Sequence, residues 1–316
     1  MKSILCLLLA ATLVFSPVHA LGSEDPVIAQ ISVLNDKDIP ETPWGIRHYL
    51  LICMDSWQAK MNRLGYSDGM VLLSMDESTG RIMVTSFIRD MLVIHPDGLP
   101  GRLTYVTKEF GVDGLMTTIN RHFGITIDKY ILMDWSQVQA IVDAAGGVKL
   151  DVTNEEASYL RRYAISPAST VPSMQRAGTY LFKGHAAVIF MRMRKVPASN
   201  GDAQDFGRTF RARTVLSNIA DSLKNVSYEA AQDLLNAVLD NTLATNLTPS
   251  DILEAFNTAF SLRGTRLEQC RLPFDNTVRP FEYANGAAQL MDFEKNRALF
   301  HDFLFEQSYV VSDMTP

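Results

Sequence analysis

Carboxylates and arginines recur in this chain at the ends of short apolar runs. Asp55 directly follows Tyr49–Met54, Asp68 stands just before Met70–Met75, and Arg89-Asp90 follow the β-branched run Arg81–Ser86. Taken singly, each reads as a loop-capping or solvated charge. Their shared position is what suggests a site, because loops at the strand ends of an open α/β sheet can converge on one ligand. A second group gathers Arg192, Arg194, Lys195, Arg208, Arg211 and Arg213, opposed over the same span only by Asp202 and Asp205. An extended Met191–Lys195 would put Arg192 and Arg194 on one face. A helix from Phe206 would put Arg208 and Arg211 on one face and turn Arg213 elsewhere. Guanidinium groups grip phosphate oxygens through paired hydrogen bonds, so several converging arginines suit a pyrophosphate. Two aspartates beside them, Asp55 and Asp68, would suit Mg²⁺ or Mn²⁺, hard cations held by carboxylates together with phosphate oxygens. A solvated basic surface is the plainer alternative for the second group.

Other chemistries lack their signatures. The chain has no G-x-S-x-G elbow, no G-x-x-x-x-G-K phosphate loop and no G-x-G-x-x-G dinucleotide turn, and its six histidines show no metal-ligand spacing. A lone histidine such as His122 or His185 reads as a surface or half-buried helix residue. The formal net charge of −6 argues against nucleic acid as a partner, since such a protein needs a positive surface. Any anion must be met by a local basic cluster. An apolar fraction of 47 % with 20 % charged residues belongs to an ordinary globular protein rather than a disordered or fibrous one.

The elements that would position these residues alternate between strand and helix. Tyr49–Met54 and Met70–Met75 have the continuous apolar character of strands buried on both faces. Turn residues Asp76–Gly80 return the chain as a partner strand Arg81–Ser86. Past a Pro/Gly-rich loop at 95–102, the four-residue spacing of Leu115, Ile119 and Phe123 predicts a helix ending at Gly124. A strand over Tyr130–Met133, a helix over Val138–Ala145 and a strand over Val148–Val152 follow. Residues 164–178 read as a surface loop. Helical periodicity then runs from Phe206 to Leu262 with Leu216, Ile219 and Leu223 as one stripe, followed by a strand-like Cys270–Leu272 and a last helix from Asp292 to Phe305. The class is α/β, with a central sheet covered on both faces.

Residues 1–20 read as an export signal, with Lys2, an apolar Ile4–Phe15 and small residues before Leu21. The apolar run is shorter than the roughly 20 residues that span a bilayer, so cleavage is expected rather than retention as an anchor. Residues 21–46, with Pro26, Pro40 and Pro43, read as a connector that packs little, and 47–316 as the folded domain. Cys53 and Cys270 could form a disulfide in an oxidising compartment, but Cys53 lies in an apolar strand and a buried free thiol is the expectation.

Read together, these segments resemble the LytR-CpsA-Psr family. The resemblance is carried by Tyr49–Asp55, Tyr66-Ser-Asp68, Ser86–Asp90, Ile119-Asn120, Gly124–Tyr130, Val142–Val148, Gly184–Ala187, Met191–Arg194 and Asp205–Arg211, in that order. It covers about residues 46–225 and implies a three-layer α/β/α sandwich with a mixed central sheet and a hydrophobic tunnel for a polyprenyl chain. It also implies that Asp55 and Asp68 hold Mg²⁺ or Mn²⁺ and that Arg89, Arg192, Arg194 and Arg208 clamp a pyrophosphate, with Arg211 beside them and Arg89 also acting in catalysis. The acceptor hydroxyl needs a base, and Asp90 is the candidate because it adjoins Arg89 at a strand end, a capping residue being the alternative reading. The implied reaction transfers a glycopolymer from a polyprenyl-pyrophosphate carrier to a hydroxyl of peptidoglycan, outside the cytoplasm at the membrane surface or wall. A hydrolase of the same lipid, and a binding or regulatory protein without turnover, are the alternatives. The chain departs from the family at Tyr66, where an arginine is usual, at Ala212, where a glutamine is usual, and in a longer segment between Arg194 and Asp205.

Overall fold

The computed structural model describes residues 28–163, 176–283 and 286–306. The proposed export signal, the start of the connector and most of the 164–178 loop lie outside them. Strands β1 (Ile46–Met54), β2 (Ser67–Asp76) and β3 (Arg81–Phe87) form an antiparallel meander. After the short hairpin of β4 (Leu92–Ile94) and β5 (Pro100–Arg102), helix α1 (Leu103–Phe123) leads to β6 (Lys129–Asp134). Then come α2 (Trp135–Ala144), β7 (Val148–Val152), α3 (Asn154–Tyr163), β8 (Gly178–Phe182), α4 (Gly184–Arg192) and α5 (Gln204–Leu223). The chain ends with α6 (Tyr228–Asp240), β9 (Ala244–Thr245), α7 (Pro249–Ser261), β10 (Leu267–Leu272), β11 (Val278–Tyr283), β12 (Gly286–Met291) and α8 (Phe293–Phe305).

The central sheet is mixed, in the order β10-β3-β2-β1-β6-β9, with β6 parallel to β1 and β10 parallel to β3. On one face Leu50, Ile52, Met54, Leu72 and Phe87 pack against α1 and α8 in a core that includes Phe123, Phe300 and Phe303. Truncating any of these buried phenylalanines to alanine would cost about 3–5 kcal/mol. On the other face lie α2, α4 and α5, whose Val142, Ala186, Phe190 and Val215 share a second core with β7 and β8. The expected three-layer sandwich is therefore observed. Among the described residues, strand Val148–Val152 pairs with β8 alone, outside the central sheet.

Local signals explain the boundaries. Gly124 ends α1 in the left-handed region (φ 65°), a conformation that favours glycine. Asp134 caps α2 through the amides of Ser136 and Gln137, and also accepts from Ala59 N at 2.8 Å, tying the loop after β1 to that cap. Gly184 is required by close approach, since a Cβ there would lie 2.0 Å from the Gln139 carbonyl oxygen on α2. Helix α6 is amphipathic yet buries no residue completely.

Two expectations change and one holds. The described part of the connector does pack: Ile31 joins the first core, Leu34 N donates to Arg121 O at 2.9 Å, and Arg121 pairs with Asp36 at 2.7 Å. His122 is fully buried rather than superficial, accepting from Ile94 N at 3.0 Å and lying 2.7 Å from Thr118 O. As expected, Cys53 and Cys270 are not joined by a disulfide. Three strand spacings separate β1 from β10, about 14 Å, which is well beyond disulfide reach.

Candidate functional site

An apolar cavity of about 280 Å³ lies between the sheet and the layer of α2, α4, α5 and α6. Its walls come from Leu51 and Cys53 of β1, Val71 of β2, Ile131 and Met133 of β6, Val138 and Ile141 of α2, and Leu234 and Val238 of α6. This explains the burial of β1: Leu50, Ile52 and Met54 are fully covered, while Leu51 and Cys53 on the opposite face are only half-buried. Along α5 the lining runs from Arg208 and Thr209 through Ala212 and Leu216 to Ile219. At 1.5 Å per residue that is about 16 Å, with charge at one end and hydrocarbon at the other. The stripe read as core, Leu216 and Ile219, is thus cavity wall. Burial pushes the Cys53 thiol well above its usual range, so it remains an uncharged part of that wall.

The charged end lies where β1 and β3 finish and β2 begins. Both carboxylate oxygens of Asp68 are held: Oδ1 accepts from Arg89, and Oδ2 lies 3.0 Å from Arg208, which also donates to the Asp68 carbonyl at 2.8 Å. Asp205, at the start of α5, accepts from Arg89 Nε at 2.9 Å and lies 3.0 Å from Arg194 Nε and 3.6 Å from Arg208. Arg192, in the last turn of α4, pairs with Asp55 at 3.2 Å and lies over the Trp135 ring at 5.2 Å. Four of the five arginines predicted from sequence therefore meet Asp55, Asp68 and Asp205 around one end of one cavity. Arg192 ends a helix instead of lying in an extended segment, and the backbone leaves the helical conformation only at Met193.

Arg211 is the exception. It is completely buried, pairs with Glu156 at 2.8 Å and donates to the carbonyls of Met193, Val196 and Pro197 at 2.9–3.0 Å. All three guanidinium nitrogens are engaged with protein and the side chain is buried, so it does not face a ligand as the sequence suggested. It instead holds the longer Arg194–Asp205 segment and with it the turn that carries Arg192 and Arg194. Arg213 does point elsewhere, but inward, donating to Ser86 on β3.

Asp90 lies 3.8 Å from Arg89 and 3.9 Å from Arg102. Burial, then its hydrogen bond to Asp205 and that neighbour's charge, push its pKa up to about 7. Burial also opposes ionisation of Asp205, but the bond from Asp90 and the charges of Arg208 and Arg89 outweigh it and hold it low. The pair thus keeps one proton, chiefly on Asp90, and titrates as a unit. Sequence reasoning counted Asp205 only as a charge opposing the basic run and missed Arg102, which ends a segment with loop composition. Trp135 Nε1, beside Arg192, is buried with no acceptor among the described residues. The described residues hold no cluster of three or more metal-ligating side chains.

A mixed-sheet α/β/α protein with an apolar cavity closed by arginines and aspartates is the class that fold and site define. The chain belongs to the LytR_cpsA_psr family, whose sequence model matches residues 44–298. It is 23 % identical over 217 residues to the polyisoprenyl-teichoic acid–peptidoglycan teichoic acid transferase TagV of Bacillus subtilis, covering 66 % of this chain and 51 % of that protein. It is 26 % identical over 259 residues to biofilm regulatory protein A of Streptococcus mutans, covering 78 % and 60 %. The chain thus spans little more than half the length of these relatives. Among solved structures, B. subtilis TagT superposes with a TM-score of 0.64 at 21 % identity, covering 86 % of this chain and 96 % of that one. The TagT structure with bound octaprenyl pyrophosphate lipid gives 0.62 at 20 %, with the same coverage. These likenesses establish the shared fold.

Proposed function

We propose that this protein transfers a glycopolymer from a polyprenyl-pyrophosphate carrier to a hydroxyl of peptidoglycan, at the outer face of the bacterial cytoplasmic membrane. The observation that carries the reading is the joining of an apolar cavity to the Arg89, Arg192, Arg194 and Arg208 group at one end. Such a site suits a ligand with a long hydrocarbon tail and a multiply charged head, and the names of the relatives point to teichoic acid as one polymer class. No helix among the described residues is long and apolar enough to cross a membrane, so contact with the bilayer would come through the lipid substrate.

In this reading the tail occupies the cavity and the four arginines bind the pyrophosphate. The acceptor hydroxyl attacks the sugar-linked phosphorus; the new P–O bond forms as the bond to the polyprenyl phosphate oxygen breaks. Asp90 takes the hydroxyl proton, and Arg89, between Asp90 and Asp68, neutralises charge that builds on the transferring phosphoryl group. Within the chain the guanidiniums are matched by carboxylates: Arg192 by Asp55, and Arg89 and Arg208 by Asp68. A divalent ion held by Asp55 and Asp68 would release those guanidiniums for phosphate. The donor set fits, since Mg²⁺ or Mn²⁺ commonly takes one or two carboxylates and completes its shell with phosphate and water. When bound it would supply charge neutralisation at the phosphates.

The test is titration with a short-chain polyprenyl pyrophosphate, with and without Mg²⁺, followed by incubation of donor lipid with peptidoglycan. Metal-assisted binding and a new phosphodiester are expected, and Asp68→Asn should abolish the metal effect on binding. Release of free phosphorylated glycan without acceptor would mean hydrolysis, and binding without turnover a carrier protein.

A further inference from the structure

On the α1 side of the strand ends, away from the cavity, stands a group of side chains that the pyrophosphate clamp does not use. Tyr66 immediately precedes Ser67-Asp68 and is 40 % exposed. Its ring lies 5.2 Å from that of Tyr105, tilted by 50°. Lys108 sits 4.6 Å from the Tyr66 ring centroid and donates to its hydroxyl at 3.1 Å. Arg102 sits 4.6 Å from the Tyr105 centroid and 3.9 Å from Asp90. A connected path therefore runs from Asp90 through Arg102, Tyr105 and Tyr66 to the exposed amine of Lys108.

Neither tyrosine belongs to the two apolar cores, so neither is explained by packing. Their support is nevertheless rigid. Buried Thr104, in the first turn of α1, donates its hydroxyl to Ser67 O at 2.8 Å and its amide to Arg89 O at 2.9 Å. The shelf is thereby fixed to β2, which carries Asp68, and to the turn after β3, which carries Arg89.

We propose that this shelf binds the acceptor, a wall glycan strand bearing carboxylate substituents, and presents its hydroxyl to Asp90. The inference rests on the transferase reading. A sugar ring offers an apolar C–H face and a hydroxylated edge, which match the ring and hydroxyl of a tyrosine at a wet surface. Lys108 and Arg102 complement carboxylates on the strand. With the donor tail on the opposite face of the sheet, the Arg102 end of the shelf is where an attacking hydroxyl meets the proton acceptor.

The test uses the full chain and two ligands: a soluble peptidoglycan tetrasaccharide with its stem peptides, and a short-chain polyprenyl pyrophosphate. Tyr66→Ala and Tyr105→Ala should each weaken the tetrasaccharide about tenfold, and Lys108→Ala should weaken it less while flattening its salt dependence. Tyr66→Phe should retain most of the affinity. Trp44→Ala, a 91 % exposed aromatic before the opposite end of β1, should change neither ligand. Polyprenyl-pyrophosphate affinity should stay at the wild-type value in all of them. Wild-type protein that fails to bind the tetrasaccharide, equal affinity across the tyrosine variants, or loss of the lipid ligand instead of the glycan would overturn the proposal. Failure of the wild type to bind the lipid would instead refute the clamp, with the tetrasaccharide titration still deciding the shelf.

Discussion

Arg208→Ala should lower both stability and ligand affinity, whereas Arg194→Ala and Arg192→Ala should lower affinity with little effect on stability. The Arg208 side chain is 8 % exposed, and its removal strips Asp68 of one of two cations and the Asp68 carbonyl of its 2.8 Å donor. Leaving a buried charge wholly unpaired costs about 3–5 kcal/mol, but Arg89 remains on Asp68, so the loss of a charge-assisted bond, about 1.5–3 kcal/mol, is the better measure. At about 2–4 °C per kcal/mol for a chain of this size, the thermal midpoint should fall by about 3–12 °C. Arg194 is 44 % exposed and Arg192 35 %, in the range where ion pairs contribute about 0–1 kcal/mol. Each of the three bonds to phosphate should be worth about 1.5–3 kcal/mol of binding, a loss of roughly ten- to a hundredfold per variant. Pairs of variants should be non-additive because they share one ligand. Scanning calorimetry and titration with a short-chain polyprenyl pyrophosphate read both quantities, with exposed Arg266→Ala as control. Equal, small affinity losses at all four positions, or wild-type stability in Arg208→Ala, would refute the reasoning.

Arg211→Ala should destabilise by about 3–5 kcal/mol in denaturant unfolding, because it strands Glu156 and three carbonyls in the interior; a near-neutral result would mean that this ion pair carries little weight. The transfer rate should rise with pH through an apparent pKa near 7 as Asp90 loses its proton, and Asp90→Asn should abolish transfer. The sign for stability is opposite: a raised carboxyl pKa favours the folded state in acid, a contribution fully present below the ordinary carboxylate value of about 4 and lost as pH climbs to about 7, so Asp90→Asn should flatten the decline between about pH 4 and 7. Ala212→Phe places a ring in the cavity and should weaken long-chain polyprenyl pyrophosphates more than short ones without lowering the thermal midpoint; a chain-length-independent effect would argue against the cavity as the tail site.

Much of the sheet was legible because β1, β2, β3 and β6 are marked by apolar or β-branched runs, and Gly124 and Asp292 carry their capping roles in their chemistry; β10, with Glu268, Gln269 and Arg271, showed only its last three residues. The arginines were found by type and order, but their division of labour was not. Arg208 and Arg211 are one helical turn apart and look equivalent in sequence; only the tertiary position of Glu156 and the 193–197 carbonyls makes one a cavity residue and the other a buried tie. Asp205 was read as a counter-charge because its neighbours in space, Asp90 and Arg89, are remote in sequence. The cavity itself was implied only through the family resemblance. Leu51, Cys53, Leu216 and Ile219 have the composition of core residues, and an empty apolar wall and a packed one are written in the same alphabet.

Helix α6 supplies Leu234 and Val238 to the cavity wall without completely burying a single residue of its own. A wall with so little to lose on separation is the part of the enclosure that opens most cheaply, so on the proposed transferase reading an isoprenoid would enter sideways beneath it rather than threading past the charged end. Amide exchange in α6 should accordingly be faster than in α2 or α5 in the free protein, and should slow more than in either once a long-chain polyprenyl pyrophosphate is bound; uniform protection across the three helices would restrict entry to the charged mouth.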